Sequence, residues 1–256
     1  MTHTTKNADA LLVGLNPISE QLRRDPRAIQ KLLVARGASG KAADIAAQAK
    51  RAGLPVEQEH ARRLDALAGG IPHQGVVAEL RAYEYADWYE ILDAKPACVL
   101  LADQINDPRN FGALVRTAEA TGVGAVVIPK DRSAAVTATV AKAAAGATAF
   151  VPVTRVVNLA RAIEELKRTG YWVVGLDGDA PQSIFEFSFP ELCALVVGAE
   201  GRGLRPLTRA NCDHLLSIPM LGRIESLNVS VAGAVALYER VRQAGGGRLS
   251  RPLSTD

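Results

Sequence analysis

From residue 97 onward the sequence alternates short, almost unbroken apolar runs with longer amphipathic stretches. The runs are ACVLLAD (97–103), GAVVIP (124–129), FVPVTR (150–155), YWVVGLD (171–177), CALVVGAE (193–200) and HLLSIP (214–219). Between them lie FGALVRTAEATG, VTATVAKAAAG and NLARAIEELKRTG, and VSVAGAVALYERVRQ follows the last. A strand that does not alternate apolar with polar residues is buried on both faces. Six such strands separated by helix-length segments predict an α/β domain built on a parallel sheet covered on both sides. In sheets of this kind ligands sit at the carboxyl ends of the strands, so chemistry is expected in the loops that leave them.

The first third has a different character. Residues 1–75 carry 11 Lys and Arg against 7 Asp and Glu, whereas residues 76–256 carry 19 against 20. The positive excess of the chain therefore belongs to a front segment, and a small basic domain beside a near-neutral one suits a polyanion partner. Within residues 11–80 the pattern predicts a compact α/β unit. NPISEQLRRD begins a helix with Asn16 as cap and Pro17 at its first position. IQKLLVA, LPVEQE and HQGVVAEL are strands, and KAADIAAQAKRAG and HARRLDALAGG are helices. The aromatic, acidic segment RAYEYADWYEILDAKP (81–96) is expected to link the two domains and to pack on something. The parallel-sheet domain is expected over 97–244, with loose ends at 1–10 and 245–256.

Composition removes several classes. Cys98, Cys193 and Cys212 form no CxxC pair and two of them sit in or beside apolar runs, which predicts buried thiols in a reducing compartment. The four histidines have no metal-ligand spacing, so no metal is expected. The polar start MTHTTKNADA and the lack of any apolar stretch near 18–20 residues predict a cytoplasmic protein without a membrane span. There is no GxGxxG after the first strand and no GxxxxGK[ST], so the usual dinucleotide and P-loop fingerprints are missing.

Three strand-end loops carry unusual chemistry. The first, DQINDPRNFGALVRTAEATG, makes a turn at Asp107 and Pro108 with Asn110 as helix cap, and places Arg116 among core-seeking residues. An arginine there must snorkel or meet an anion. The second, VVGAEGRGLRPLT, has Gly198, Gly201 and Gly203 for close backbone approach, then Arg202, Arg205 and Arg209, for which a phosphate backbone is a natural partner. The third, GRIESLN (222–228), sits between a strand end and the apolar helix VSVAGAVALYE, and puts Glu225, Ser226 and Asn228 on the hinge. Together the loops supply Asn110, Arg116, Glu200, Ser226 and Asn228 without a cysteine nucleophile, a histidine base or a metal cage. That set suits transfer between two bound partners, driven by placement and charge, better than hydrolysis or hydride transfer.

In order, NDPRNFGALVRTAEATG, VVGAEGRGL and IPMLGRIESLNVSVAGAVALYE resemble the three motifs of the SpoU class of RNA 2′-O-ribose methyltransferases, a likeness that covers roughly residues 97–243. IPKDRSA and KAAAGATAFVPVTRVVNLA also resemble the branch that methylates a guanosine ribose in the peptidyl-transferase region of bacterial 23S ribosomal RNA. The front segment is similar to that branch's RNA-binding domain, which has a ribosomal-protein-like fold. The resemblance implies S-adenosylmethionine as donor, 23S ribosomal RNA as partner, a homodimer and a trefoil-knotted catalytic domain, although threaded chains are nearly absent from folds. It implies that backbone around Gly198, Ile218 and Leu227 holds the adenosyl part, that Asn110, Arg116, Glu200, Ser226 and Asn228 form the catalytic set, and that Arg109, Arg202 and Arg205 face RNA.

The sequence departs from the branch at Arg223, Ile224 and Glu225, where small neutral residues are usual before the serine. A surface Arg223–Glu225 pair, which would contribute little, is one expectation; the other is that Glu225 faces RNA phosphate, which would weaken binding and change the substrate expected. The same chemistry on a transfer-RNA guanosine, and an RNA-binding assembly factor without activity, stay open as alternatives at this point.

Overall fold

The computed structural model describes residues 11–224 and 226–245. The chain divides into two compact units between Tyr83 and Glu84.

The front unit has four strands, β1 (Leu11–Val13), β2 (Ile29–Ala35), β3 (Val56–Glu59) and β4 (Val76–Leu80), in the order β1-β4-β2-β3. β4 runs antiparallel to β1 and β2, while β2 and β3 are parallel. Helices α1 (Leu15–Arg24), α2 (Lys41–Arg51) and α3 (Ala61–Ala68) connect them. Neighbouring strand residues point to opposite faces. Leu32 therefore packs with Ile18 of α1 and Ile45 of α2, and Leu33 packs with Leu64 of α3. The start of α1 corrects the expectation for Asn16. The helix begins two residues earlier, capped by Gly14 at φ 94, and Leu15 N donates to Gln74 Oε1. Asn16 thus lies inside the first turn, and Pro17 at the third position still loses no helical hydrogen bond, because the first four N–H groups have no partner within a helix.

The second unit is a seven-stranded sheet in which every neighbouring pair is parallel. Its strands are β5 (Cys98–Asp103), β6 (Ala125–Pro129), β7 (Val153–Val156), β8 (Trp172–Leu176), β9 (Gln182–Ser183), β10 (Cys193–Gly198) and β11 (His214–Ser217). Their order is β7-β6-β5-β10-β8-β11-β9. All six expected strands are present; β9, two residues long, has too little pattern to be read from sequence. The helices are α4 (Trp88–Ala94), α5 (Pro108–Ala120), α6 (Ala138–Ala143), α7 (Leu159–Arg168), α8 (Pro206–Asn211) and α9 (Val229–Gln243).

The segment expected as a linker is largely built into this unit. Asp87 caps α4 by accepting from Tyr89 N and Glu90 N, Trp88 and Ile91 are buried with Leu159, Ile163 and Leu166, and Trp88 Nε1 donates to Glu165 Oε2 at 2.6 Å. The apolar area of those two side chains is what keeps the segment off the solvent.

Two features aim the sheet's end at a site. First, the chain runs β5 to β6 to β7 in one direction, then returns to β8 on the far side, and β10 inserts beside β5. The β5/β10 boundary is thus a topological switch point, where strand-end loops diverge and leave a crevice. Second, α5 and α9 lie close together: a β-carbon on Gly233 would stand 2.5 Å from Leu114 Cδ2, so only glycine lets the two helices approach this far. That approach brings the N-termini of α5 and α9 to the same end of the sheet.

Candidate active site

At the switch point three side chains from three separate segments close on one another. Asn110 Nδ2 donates to Glu200 Oε1 at 2.9 Å, Asn228 Nδ2 donates to Asn110 Oδ1 at 2.9 Å, and Asn228 Nδ2 also lies 2.5 Å from Glu200 Oε1. Each member is held by its local structure. Asp107, not Asn110, caps α5: its carboxylate accepts from Arg109 N at 2.6 Å and from Asn110 N at 3.1 Å, with Pro108 in the first turn. Because Asp107 does the capping, the Asn110 amide is free to reach across the crevice. Asn228 caps α9 through Oδ1, which accepts from Ser230 N at 2.9 Å and from Ser230 Oγ at 2.6 Å. Its Nδ2 is thereby aimed at the other two.

Glu200 sits on a tight reversal. Ala199 N donates to Gly203 O and Gly203 N to Ala199 O, at 3.1 and 2.9 Å, so Glu200, Gly201 and Arg202 form the tip of a small hairpin. Gly201 and Gly203 have φ of 71 and 63. A β-carbon on Gly198 would collide with the Gly203 backbone and stand 2.5 Å from Leu204 N. Gly198 is therefore required by the loop folding back over it.

The arginine fringe separates into two groups. Arg205 donates from Nε to Asp103 Oδ1 at 2.6 Å and from its backbone N to Oδ2 at 3.0 Å, and Asp103 is buried at the end of β5. Arg209 Nε lies 2.5 Å from Asp177 Oδ2, just past β8. Burial pushes the Asp177 carboxyl up, but hydrogen bonds from Arg209 and from Asp179 N outweigh it and hold the group below its ordinary range. Both arginines pin their loop to a strand-end carboxylate. Arg205, for which an RNA contact was expected, is thus also engaged with Asp103. Asp103 and Asp177 were missed in the sequence; the available signal was a carboxylate closing an otherwise apolar run, in VLLAD and VVGLD. Arg109, Arg116 and Arg202 are exposed and form no ion pair among the described residues.

The structure does not bring every expected residue into the cluster. Arg116 lies on the solvent side of α5, about 9 Å along the helix axis from Asn110 and roughly a third of a turn round it. Ser226 is exposed and makes no hydrogen bond to the cluster among the described residues. Ile218 and Leu227 are half-buried, and among the described residues the backbone of 218–224 and of 226–227 forms no backbone hydrogen bond. Glu225, and with it the expected Arg223–Glu225 pair, lies outside the described residues, as do the tails 1–10 and 246–256. No group of three His, Cys, Asp or Glu side chains able to hold a metal occurs among the described residues.

A parallel sheet with a polar cluster at its switch point and open backbone beside it is the arrangement of an α/β enzyme that binds its ligands at the strand ends. The chain belongs to the SpoU rRNA Methylase family, which matches residues 97–238; residues 11–86 match the substrate-binding domain of RNA 2′-O ribose methyltransferases. It is 45% identical over 240 residues to the 23S rRNA (guanosine-2′-O-)-methyltransferase RlmB of Bordetella pertussis, covering 92% of this chain and 98% of that one. It is 42% identical over 238 residues to the enzyme of the same name from Xylella fastidiosa, covering 91% and 96%. Among solved structures, the SpoU methyltransferase AviRb from Streptomyces viridochromogenes in complex with AdoMet is similar with a TM-score of 0.63 and 26% identity, over 93% of this chain and 91% of that one.

Proposed function

We propose that this protein transfers a methyl group from S-adenosylmethionine to the ribose 2′-oxygen of a guanosine in 23S ribosomal RNA, acting as a cytoplasmic homodimer with a knotted second unit. The observation that carries the reading is the closed Asn110–Glu200–Asn228 cluster, in which all three family motifs meet at the sheet's switch point. Near-complete coverage of relatives named for this reaction supports the substrate.

When bound, S-adenosylmethionine supplies a methyl carbon already activated by its sulfonium, so no covalent catalysis is needed from the protein. Backbone around Gly198, Ile218 and Leu227 would hold its adenosyl part. The demand on the side chains is different: a ribose hydroxyl is a very weak acid, and negative charge grows on its oxygen as the proton leaves. Arg116 meets that demand as a fixed cation, since a guanidinium with a pKa above about 12 is a poor base but a lasting positive charge. Asn110 and Asn228 position the loops and the ribose through their amides, with Glu200 orienting both, and Ser226 supplies a hydroxyl to the ribose side.

Arg116 stands apart from the cluster of its own chain, and a second copy resolves this. Val231 and Tyr238 are exposed on one stripe of α9, seven residues apart, and Leu221 and Ile224 are exposed in the loop before it. An apolar surface of this extent next to the site fits a partner subunit, which would bring its own Arg116 to the cluster. The test is methyl transfer from labelled donor to 23S ribosomal RNA isolated from cells lacking the protein, with the methylated ribose mapped. Methylation of one guanosine is expected; tight RNA binding with no transfer, or transfer to transfer RNA alone, would replace this reading.

A further inference from the structure

We infer that the loop leaving β6, with Lys130 and Arg132, together with the Tyr85–Arg155 pair beside it, grips the phosphodiester backbone of the RNA strand next to the target nucleotide. This rests on the RNA-methylation reading, but concerns a part of the second unit to which the reaction gives no role.

The placement comes from strand order. The cluster occupies the β5/β10 boundary, and β6 then β7 lie successively outward from β5. The covalent junction between the two units, Tyr83–Glu84, lies just before Ala86, which is bridged to Thr154 on β7. In strand order the β6 loop therefore lies between the edge where the chain enters this unit and the candidate site, and it leaves β6 at the carboxyl end, where the site lies.

The loop is built to hold a shape. Lys130 N donates to Val156 O at 2.8 Å, Ala134 N to Ile105 O at 2.8 Å, and Val136 N to Tyr85 Oη at 2.9 Å. These bonds tie it to β7, to the loop that leads into α5, and to the start of the unit. Between the ties, Lys130, Asp131 and Arg132 are exposed, and Arg132 is held at φ 57. That left-handed conformation, which favours glycine or asparagine, turns the loop sharply at Arg132.

Tyr85 carries the second half of the grip. Its hydroxyl accepts from the loop, while the Arg155 guanidinium lies over its ring with Cζ 3.9 Å from the centroid. In the same region Ser133 Oγ and Arg155 Nε are buried without a hydrogen-bond partner among the described residues. Lys130, Arg132 and Arg155 bring three cations to this corner, and the loop between them sets only the Asp131 carboxylate against that charge. What the corner needs is acceptors, and an RNA phosphate is an acceptor with a negative charge.

The test uses the full chain carrying Lys130→Ala and Arg132→Gly together, the glycine being chosen because it keeps φ 57 without strain. Methyl transfer to 23S ribosomal RNA should show KM for RNA raised about tenfold with kcat within twofold, and unchanged affinity for S-adenosylmethionine. The salt dependence of binding to single-stranded RNA should fall in slope by about 1.4, for two lost phosphate contacts at roughly 0.7 each. An unchanged KM and slope would overturn the inference, as would a fall in kcat alone. Should the double variant fail to fold, Lys130→Ala alone should show half the change in slope, and an unchanged slope there would overturn the inference equally. If the wild-type protein does not methylate 23S ribosomal RNA yet the slope still falls, the methylation reading fails and the phosphate grip stands.

Discussion

Asn228 Nδ2 reaches Asn110 Oδ1 at 2.9 Å across 118 residues of sequence, and both amides converge on Glu200 Oε1. The two asparagines differ in what else they do, and this separates their variants. Asn110 contributes nothing to the cap of α5, so Asn110→Ala should cut kcat by at least tenfold with the thermal midpoint nearly unchanged. Asn228→Ala removes the cap of α9 as well, and should also cost about 1 kcal/mol of stability. Asn228→Asp keeps the cap but sets a second carboxylate against Glu200, so it should be inactive near neutral pH and lose stability as both groups ionise. Steady-state kinetics beside thermal unfolding would check the set; equal stability loss in both alanine variants would contradict the assignment of caps.

Arg116 gives a sharper test because its distance from the cluster is the reason for invoking a second subunit. Arg116→Ala should abolish transfer while affinity for S-adenosylmethionine stays within a few-fold. Mixing it with an Asn110→Ala, Asn228→Ala variant, after unfolding and refolding together, should restore activity. Each mixed dimer would contain one intact site, so random pairing should give about a quarter of wild-type activity by binomial pairing, as in any symmetric dimer with shared sites. No recovery would mean that Arg116 serves its own chain or no site at all.

Much of this was legible in the sequence, for physical reasons that can be named. Strands buried on both faces, such as VLLA in β5 and ALVV in β10, advertise themselves by lacking alternation, and their parallel sheet then dictates where loops must carry chemistry. The errors lie where two residues compete for one local role. Asp107 and Asn110 can each cap α5; Pro108 settles it for Asp107, because proline is favoured at the first helical position. The carboxylate partners of Arg205 and Arg209 were not legible either, because Asp103 and Asp177 are far away in sequence and only the fold brings them close. The closure of Asn110, Glu200 and Asn228 is non-local in the same way. Motif order suggested it, but no spacing rule could have given it.

The cysteines yield a prediction about alkaline pH. Cys98 and Cys193 are register partners on β5 and β10, both buried. Burial pushes the Cys98 thiol from its ordinary 9.0 up to about 11 against the opposing charge of Arg240, and pushes Cys193 higher still. Burial, with Asp213 adding to it, raises Cys212 to about 12. In the unfolded chain these thiols ionise near 9, whereas in the folded protein they stay protonated. Their contribution is therefore fully present below about pH 9 and is lost as pH rises through the folded values. At about pH 8 none of the three should react quickly with a thiol reagent until denaturant is added. Between about pH 9 and 11 the urea midpoint should fall, and a Cys98→Ala, Cys193→Ala variant should show a shallower fall. Rapid labelling of either strand cysteine in the native protein would refute the burial argument.

Gly198 and Gly201 sit three residues apart in one loop and make opposite demands on a β-carbon. At Gly201 a side chain would meet open space, and the only obstacle is φ 71, a strain of about 1 kcal/mol. At Gly198 it would strike the Gly203 backbone and crowd Leu204 N, and backbone cannot rotate away as a side chain does. Gly198→Ala should therefore cost at least the upper part of the roughly 1–3 kcal/mol typical of overpacking. It should also open the Ala199–Gly203 hairpin and carry Glu200 away from both asparagines. Gly201→Ala should keep most of its activity, while Gly198→Ala should lose methyl transfer and bind S-adenosylmethionine at least tenfold more weakly. Calorimetric titration with S-adenosylmethionine beside thermal unfolding would distinguish them. A Gly198→Ala protein as stable and active as wild type would mean that the hairpin, and the cluster it holds in place, has more slack than its closed backbone bonds imply.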